Sequence, residues 1–480
     1  MVGPDFVVPE TPPVGTYLPA SVATQNAAAA DVKPGAQLSG DWWHMLGSRR
    51  LNALIEMGLA NNADLAAAEA ALRVADANAL ALRGGFWPTV KAGLESNRQG
   101  VATRTLSSDS AQGKSVFSLH TAQVSVAYVA DVWGGLHRQV EGAYALSEAL
   151  AMQREAVAIT LAANIALAAI QQASFEGQVA VTRRLISAQR DLLDILERQQ
   201  AAGQIALSDV VVQETALAQS KLLLPPLERQ RDQQANVLAT LTGRLPAQAE
   251  RELFRLSTFR TPRQVPVSLP ADLVRQRPDI RVAEANMRAA NAQVGVAIAN
   301  RLPQITLSGN GGSTADTVGK LFSPGTWIWM IAGNAAQTLF DGRTLAYKQV
   351  AAEEAFVQQT AQYKGVVLTA FQNVADVLVA LEADNKSIAA AREAEAAANR
   401  SLDLIRKQLE QGQISLPVLL TAQQAFLQTS LARVQAQASR LANTVALYQA
   451  LGGGWWNRTT EVHVSHPVAR TANVIKTVAK

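Results

Sequence analysis

Residues 64–90 read DLAAAEAALRVADANALALRGGFWPTV, and residues 279–305 read DIRVAEANMRAANAQVGVAIANRLPQI. The two stretches align without a gap at a shift of 215, and eight of the 27 positions are identical. Alanine supplies four of these; the others are Asp64/Asp279, Glu69/Glu284, Arg73/Arg288 and Pro88/Pro303. A second pair of blocks, 203–243 and 412–452, aligns at a shift of 209, opening on GQIAL against GQISL and closing on Gly243 against Gly452. Two blocks in the same order at nearly the same shift mark a tandem duplication of a unit about 200 residues long.

Each copy reads in the same parts. It opens with a helix: Asn62 stands in cap position before Asp64, and Pro278 precedes Asp279. An early proline and an acid near the positive end of the helix dipole are start signals. The helix is expected to stop near Pro88 or Pro303, where the period changes from 3.6 to 2. Val90, Ala92 and Leu94 alternate with Thr89, Lys91 and Glu95; Ile305 and Leu307 alternate with Gln304, Thr306 and Ser308. These are strands. A polar stretch, 99–115 or 309–319, predicts a loop. A second alternating segment follows, with Val124, Val126, Tyr128 and Ala130 on one parity in the first copy and Trp327, Trp329 and Ile331 in the second. The quartets VWGG (132–135) and LFDG (339–342) then supply glycine for a tight turn.

A proline-free helix comes next, roughly Arg138 to Gln200 or Thr344 to Gln411. Some 63 residues at 1.5 Å each span about 95 Å. Gly203 or Gly412 ends it, as a helix C-terminal glycine does. A return helix runs to about Leu241 or Leu451, and Pro225-Pro226 should kink the first of these. The organisation is therefore an N-terminal segment (1–60, of which the Pro/Ala-rich residues 1–40 read as extended), a first repeat (61–243), a connector holding Pro246, Pro262, Pro266 and Pro270 (244–275), a second repeat (276–452) and a C-terminal tail (453–480).

Composition removes several function classes. There is no cysteine, which excludes disulfides, thiolate metal sites and a cysteine nucleophile. Five histidines leave little for metal or acid–base chemistry. The net charge of +4 is not concentrated in any basic run, so nucleic acid is not an expected partner. No GxSxG, Walker, HExxH or strand-linked GxGxxG pattern occurs. His463 and His466 form an isolated HxxH pair in the tail, and Gly452-Gly453-Gly454 ends a helix rather than opening one. No catalytic residue, cofactor or metal ligand is expected, and the chain does not read as an enzyme.

The start, MVGPDFVVPETPP, has neither the basic nor the apolar region of a secretory signal. Ala156–Phe175 is free of charge and long enough to span a bilayer. Thr160, Asn164, Gln171, Gln172 and Ser174 interrupt it, however, and the matching stretch of the second copy carries Asp376, Glu382 and Asp384. A buried seam between helices is the better reading. Four strands with one apolar parity would expose two edges, which closure with other copies of the chain removes. Apolar-out, polar-in alternation is the pattern of an outer-membrane barrel, and Trp327 and Trp329 suit its aromatic belt.

With these parts the chain resembles the outer-membrane factors of tripartite efflux pumps, the TolC-like family, and within it the lipoprotein branch. VGPDFVVP (2–9), WW…LNALIEMGLANNADL (42–65), LPADLVRQRPDIRVAEA (269–285), LFDGR (339–343) and LYQALGGGW (447–455) carry the resemblance across nearly the whole chain. It implies a mainly α protein with a membrane β-barrel, in which a homotrimer shares twelve strands and continues them as a long α-helical barrel through the periplasm. It assigns 1–60 and 244–275 in part to an equatorial region. It implies an outer-membrane exit duct passing drugs or other small molecules from an inner-membrane transporter through a periplasmic adaptor, with outer-membrane lipid around the barrel.

The resemblance places adaptor docking at the hairpin tips, Gly203-Gln204-Ile205 and Gly412-Gln413-Ile414. It also leads one to expect a lipidated cysteine at the N-terminus, either next to Met1 in a precursor or replaced by Met1. Acidic gate rings belong to the family's inner return helix, but the matching positions are Val418 and Thr421, and the usual tyrosine before the tip glycine is Leu409. Asp209, Arg406, Gln408, Gln413 and Gln424 are the nearby polar gate candidates. A duct for protein secretion uses the same fold and stays open as an alternative, as does, in another class, a soluble trimeric coiled-coil structural protein.

Overall fold

The computed structural model describes residues 1–10, 16–17, 32–34, 38–100, 116–249, 252–261, 265–267 and 270–458. The HxxH pair, Pro262 and residues 101–115 of the first polar stretch lie outside them. In chain order the elements are β1 (Val32–Pro34), α1 (Arg49–Asn61), α2 (Ala63–Arg83), β2 (Thr89–Gly100), β3 (Val116–Ala130) and α3 (Gly135–Ala201). The next are α4 (Leu207–Leu222), α5 (Leu224–Leu241), β4 (Val265–Val267), α6 (Pro270–Gln276) and α7 (Pro278–Ala299). The chain closes with β5 (Gln304–Ala315), β6 (Trp327–Ala336), α8 (Thr344–Glu410) and α9 (Leu416–Ala450).

The duplication governs this order. Both long helices, α3 and α8, have 67 residues. In the first hairpin Thr89 pairs with Ala127, and in the second Gln304 pairs with Ala336. Residues of β2 therefore answer to β5 at a shift of 215, and those of β3 to β6 at 209. The helix starts Gly135 and Thr344 and the tip glycines Gly203 and Gly412 keep the shift of 209. The whole difference in shift is absorbed in the β-hairpin loops. By the same rule Gly134 answers to Arg343, so VWGG and LFDG are two residues out of step. Backbone angles agree: φ is 81° at Gly134 and 72° at Arg343, the only non-glycine among the described residues with positive φ.

Local chemistry explains the boundaries. The Asn62 side-chain oxygen accepts hydrogen bonds from the Asp64 and Leu65 amides at 2.9 and 3.1 Å, capping α2. Asp131 accepts from the Leu136 and His137 amides at the head of α3, and Asp341 accepts from Leu345 at the head of α8. Burial would raise the Asp131 carboxyl. Hydrogen bonds from the His137 ring and from the His137 and Leu136 amides outweigh it and hold the group below the usual aspartate range. The first return helix breaks at Leu223, just before Pro225-Pro226, whereas α9 runs unbroken for 35 residues. Three expectations are corrected: residues 99–100 and 309–315, read as loop, continue β2 and β5, and the end of the 1–60 segment is the helix α1 rather than extended chain. Glycine weakens a strand on its own, but Gly309, Gly311 and Gly312 are paired on both sides, with β3 and with β6.

The chain forms two compact units, each drawing on both copies. The first holds residues 1–10, 69–152 and 282–365. Its antiparallel sheet has the order β2-β3-β5-β6. The N-terminal strap packs tightly within it: Arg138, 4% exposed, pairs with Asp5 and Glu141 at 2.8 Å each. A Cβ on Gly3 would lie 2.6 Å from the Gly295 Cα, so only glycine fits there. Arg288 pairs with Glu148 at 2.6 Å.

The second unit takes the remaining described residues. Ala162, Ala163, Ile165, Ala166, Ala169 and Ala173 of the uncharged α3 stretch are buried, as expected of a helix seam. Arg277 is buried, paired with Asp279 at 2.6 Å and donating to the Ala450 carbonyl at 2.8 Å. The Trp42 and Tyr448 rings pack at a tilt with centroids 5.3 Å apart, and the short parallel pair β1–β4 joins Val32 to Val265.

Candidate functional site

The sheet sorts most of its side chains by chemistry, the exceptions including Leu119, Val129, Ile328 and Met330 on the more polar face and Ser96, Arg98 and His120 on the more apolar one. Register places Glu95 and Asn97 of β2, Thr121 and Gln123 of β3, Asn310 and Thr314 of β5 and Asn334 of β6 on one face. Across it Asn310 donates to Gln123 at 3.0 Å, and the Thr121 and Thr314 hydroxyls meet at 3.2 Å. The opposite face carries Val90, Leu94, Val124, Val126, Leu307, Trp327, Trp329 and Ile331. Trp327 and Trp329 are 68% and 70% exposed, on the apolar parity expected of them. The Trp327 ring lies over Gly311, 3.4 Å from where a Cβ would stand, so the β5 glycines seat the indole. The outer strands are open: all twelve residues of β2 and all of β6 except Ala332 are exposed.

The hairpin tips are built alike. Gly203 and Gly412 both have φ of 70°. Gln204 N–H reaches the Gln199 carbonyl and Gln413 N–H the Gln408 carbonyl, each at 2.9 Å. These bonds satisfy carbonyls the helix ends leave free. Behind the turns Leu196, Val210, Leu402, Leu416 and Leu419 form one buried cluster, with Ile205 and Leu409 packed against it. Leu409, where the family pattern has tyrosine, is thus a packing residue. Gln204, Ile205, Asp209, Arg406, Gly412 and Ile414 line one cavity of about 720 Å³ between the tips, together with Asp191 and Glu410. Thr421 and Gln424 line a second cavity of about 560 Å³. Gly203, Gln408, Gln413 and Val418 line neither of these and are exposed.

Two polar groups of the second unit escaped the sequence reading. Gln189, Gln213 and Gln423 are buried together: Gln189 donates to the Gln423 side chain at 3.2 Å, and Gln213 donates to the Gln189 carbonyl at 2.9 Å. Thr182, Ser220 and Ser430 are also buried, each one heptad from a glutamine of its helix. That shared spacing was the available signal. Elsewhere Arg440 donates to Asn385 at 2.9 Å, and Asn443 donates to Asp384 at 2.7 Å. Burial raises the Asp384 carboxyl above its ordinary value, although the Asn443 bond and Arg440 oppose it. Burial also pushes the Tyr448 hydroxyl up to about 12. Among the described residues no group of His, Asp or Glu is arranged to hold a metal ion.

A strand layer polar on one face, apolar on the other and open at both edges, joined to helices of 67 residues, defines a channel-forming membrane protein. The sequence pattern described as outer membrane efflux protein matches residues 54–244 and 269–453, and the chain belongs to that family. It is 30% identical over 452 residues to the pyoverdine export outer membrane protein OpmQ of Pseudomonas putida, covering 93% of this chain and 94% of that one. It is 28% identical to the probable efflux pump outer membrane protein TtgC of Pseudomonas putida, over 96% and 94% of the two chains. Among solved structures, the open-state MtrE outer membrane channel of Neisseria gonorrhoeae matches with a TM-score of 0.82 and 25% identity, over 96% and 99% of the chains. The protein is accordingly an outer-membrane efflux component reaching into the periplasm. Its fold contributes four strands to a β-barrel and long helices to an α-barrel.

Proposed function

We propose that three copies of the chain close into a twelve-stranded barrel and form the passive exit duct of a tripartite pump for small organic molecules. The observation that carries this is the sheet itself. Its polar face suits a water-filled lumen, its apolar face suits lipid, and its two open edges need further copies to be satisfied. The export of pyoverdine by OpmQ supports a small-molecule cargo. Trp327 and Trp329 serve as the lipid-facing aromatic belt. Met1 packs beside Gly134, where an N-terminal acyl chain would begin close to the foot of β3. The chain performs no catalytic step; an inner-membrane transporter supplies the energy.

In this reading the two Gly-Gln-Ile turns receive the periplasmic adaptor. Asp209, Arg406, Gln408, Gln424, Val418 and Thr421 surround the periplasmic opening, which closes without an acidic ring. Conductance of the purified protein in planar bilayers tests the duct: discrete channel openings are expected, and a bilayer that stays sealed refutes it. Gln204→Arg with Gln413→Arg tests the tips. Efflux should fall while the outer-membrane level of the protein is unchanged, and unaltered efflux would remove the docking assignment.

A further inference from the structure

The rows of side chains on the apolar face of the sheet change character at one level. Register aligns Ala130–Ile305–Ala335 as the row nearest the helices and Leu94–Ala122–Ser313–Trp327 as the fifth. Four steps of about 6.8 Å make about 27 Å along the strands, or about 21 Å across a bilayer at a barrel's tilt of about 40°. Trp329 and Trp327 stand in the fourth and fifth rows, the level at which aromatic rings meet lipid headgroups. The next row is Ser96–His120–Ala315, and the one after it Arg98–Ser118.

In these two outer rows the face carries two basic groups and, among the described residues, no acid. Arg98 is exposed, and its side chain has no hydrogen-bond or ion-pair partner among the described residues. His120 is half-buried; its Nδ1 meets the Ser96 hydroxyl at 2.8 Å, which orients the ring and leaves Nε2 free. In the loop after β5, Asp316 and Lys320 pair with each other at 3.4 Å and so leave this excess of positive charge unchanged. On the apolar rows lies a groove of about 1270 Å³, bordered by Val124 and Val126 on one side and by Trp327 and Trp329 on the other. Small-molecule pockets take roughly 300–1,000 Å³, so the groove has room for acyl chains.

The geometry points to a bound lipid whose phosphate headgroup rests on Arg98 and His120 while its acyl chains lie in this groove. The guanidinium fork matches a pair of phosphate oxygens, and His120 Nε2 offers a second contact. A cation at the end of an apolar groove selects an anionic amphiphile over a neutral one. Free phosphate would satisfy Arg98 and leave the groove empty. The inference rests on the lipid-facing role proposed above for this side of the sheet.

The test places the full-length protein in phosphatidylcholine nanodiscs that hold a minor share of phosphatidic acid, or the same share of diacylglycerol with identical chains. Native mass spectrometry after release from the disc counts the retained lipid. Phosphatidic acid should be retained in preference to diacylglycerol. Arg98→Gln should lower its retention about fivefold, the worth of one interfacial cation, and Arg98→Lys should keep most of it. Lys91→Gln removes a cation from the opposite face of β2 and should change nothing. Equal retention of the two lipids, or equal losses in Lys91→Gln and Arg98→Gln, overturns the site. Excess inorganic phosphate should not displace the lipid; displacement would assign the two basic groups to free phosphate and overturn the lipid. Protein that fails to enter the nanodiscs overturns the membrane-barrel reading as well, whereas inserted protein without the phosphate preference overturns this site alone.

Discussion

The two copies of the repeat have the same long-helix length and hairpin register, yet their surfaces differ. Of the most apolar stretch in α3, 67% is buried; in α8 the figure is 28%. At equivalent positions stand Ala163, fully buried, and Gln372, exposed. Duplication preserved the backbone, and side chains then diverged according to what covers each copy. Within the protomer the first copy's long helix is covered by the chain's own elements. The second copy's long helix leaves Tyr347, Val350, Val357 and Leu368 exposed.

Exchanging residues between the copies puts this contrast at risk. Ala163→Gln, which installs the second copy's residue in the seam, should cost about 3 kcal/mol or more, because it overpacks the site and buries an amide. Gln372→Ala should change stability by about 0.5 kcal/mol at most. Thermal melts in detergent compare the two, and equal shifts would erase the distinction. A smaller effect is expected at the turns. Gly134→Ala puts a Cβ 2.5 Å from the Met1 Cγ at positive φ, for a loss of about 2 kcal/mol. Its counterpart change, Arg343→Gly, relieves a left-handed arginine and should gain up to about 1 kcal/mol. The same sign for both would contradict their equivalence.

The smallest effect concerns the helix heads. Asp131→Ala should cost about 1 kcal/mol at neutral pH through loss of the cap. Because the folded-state carboxyl is held below its ordinary value, its contribution is present above the unfolded aspartate pKa of about 3.9. It is lost as pH falls through the depressed folded value. Melts at falling pH should bring wild type and Asp131→Asn together. A gap that widens on acidification would reverse the sign.

Much of this architecture was legible because its signals are local. The helix caps, the change of period at Pro88 and Pro303, the strand parity and the tip glycines each follow from a few adjacent residues. What stayed hidden depends on distant partners. Residues 309–315 look like loop until β3 and β6 flank them, and the Trp327 ring over Gly311 requires a neighbouring strand. The strand pair β1–β4 joins short segments more than 200 residues apart. The counterpart of Gly134 could not be fixed from VWGG and LFDG, because register and helix starts, not glycine spacing, decide it. At the tips, sequence found the turns. Packing alone shows that Leu409 belongs to the core, that Gln204 and Arg406 share a cavity, and that Gln408 and Gln413 do not line it.

The equal length of α3 and α8 sets a tolerance on change. One residue inserted in either helix would rotate its tip by about 100° and advance it by about 1.5 Å relative to the other. The Leu196–Leu402–Leu419 cluster that joins the tips would then lose its match. Length changes in these helices are admissible only as matched insertions in both copies, in steps that restore the phase. The repeat acts in this respect as a gauge, with each copy holding the other to size.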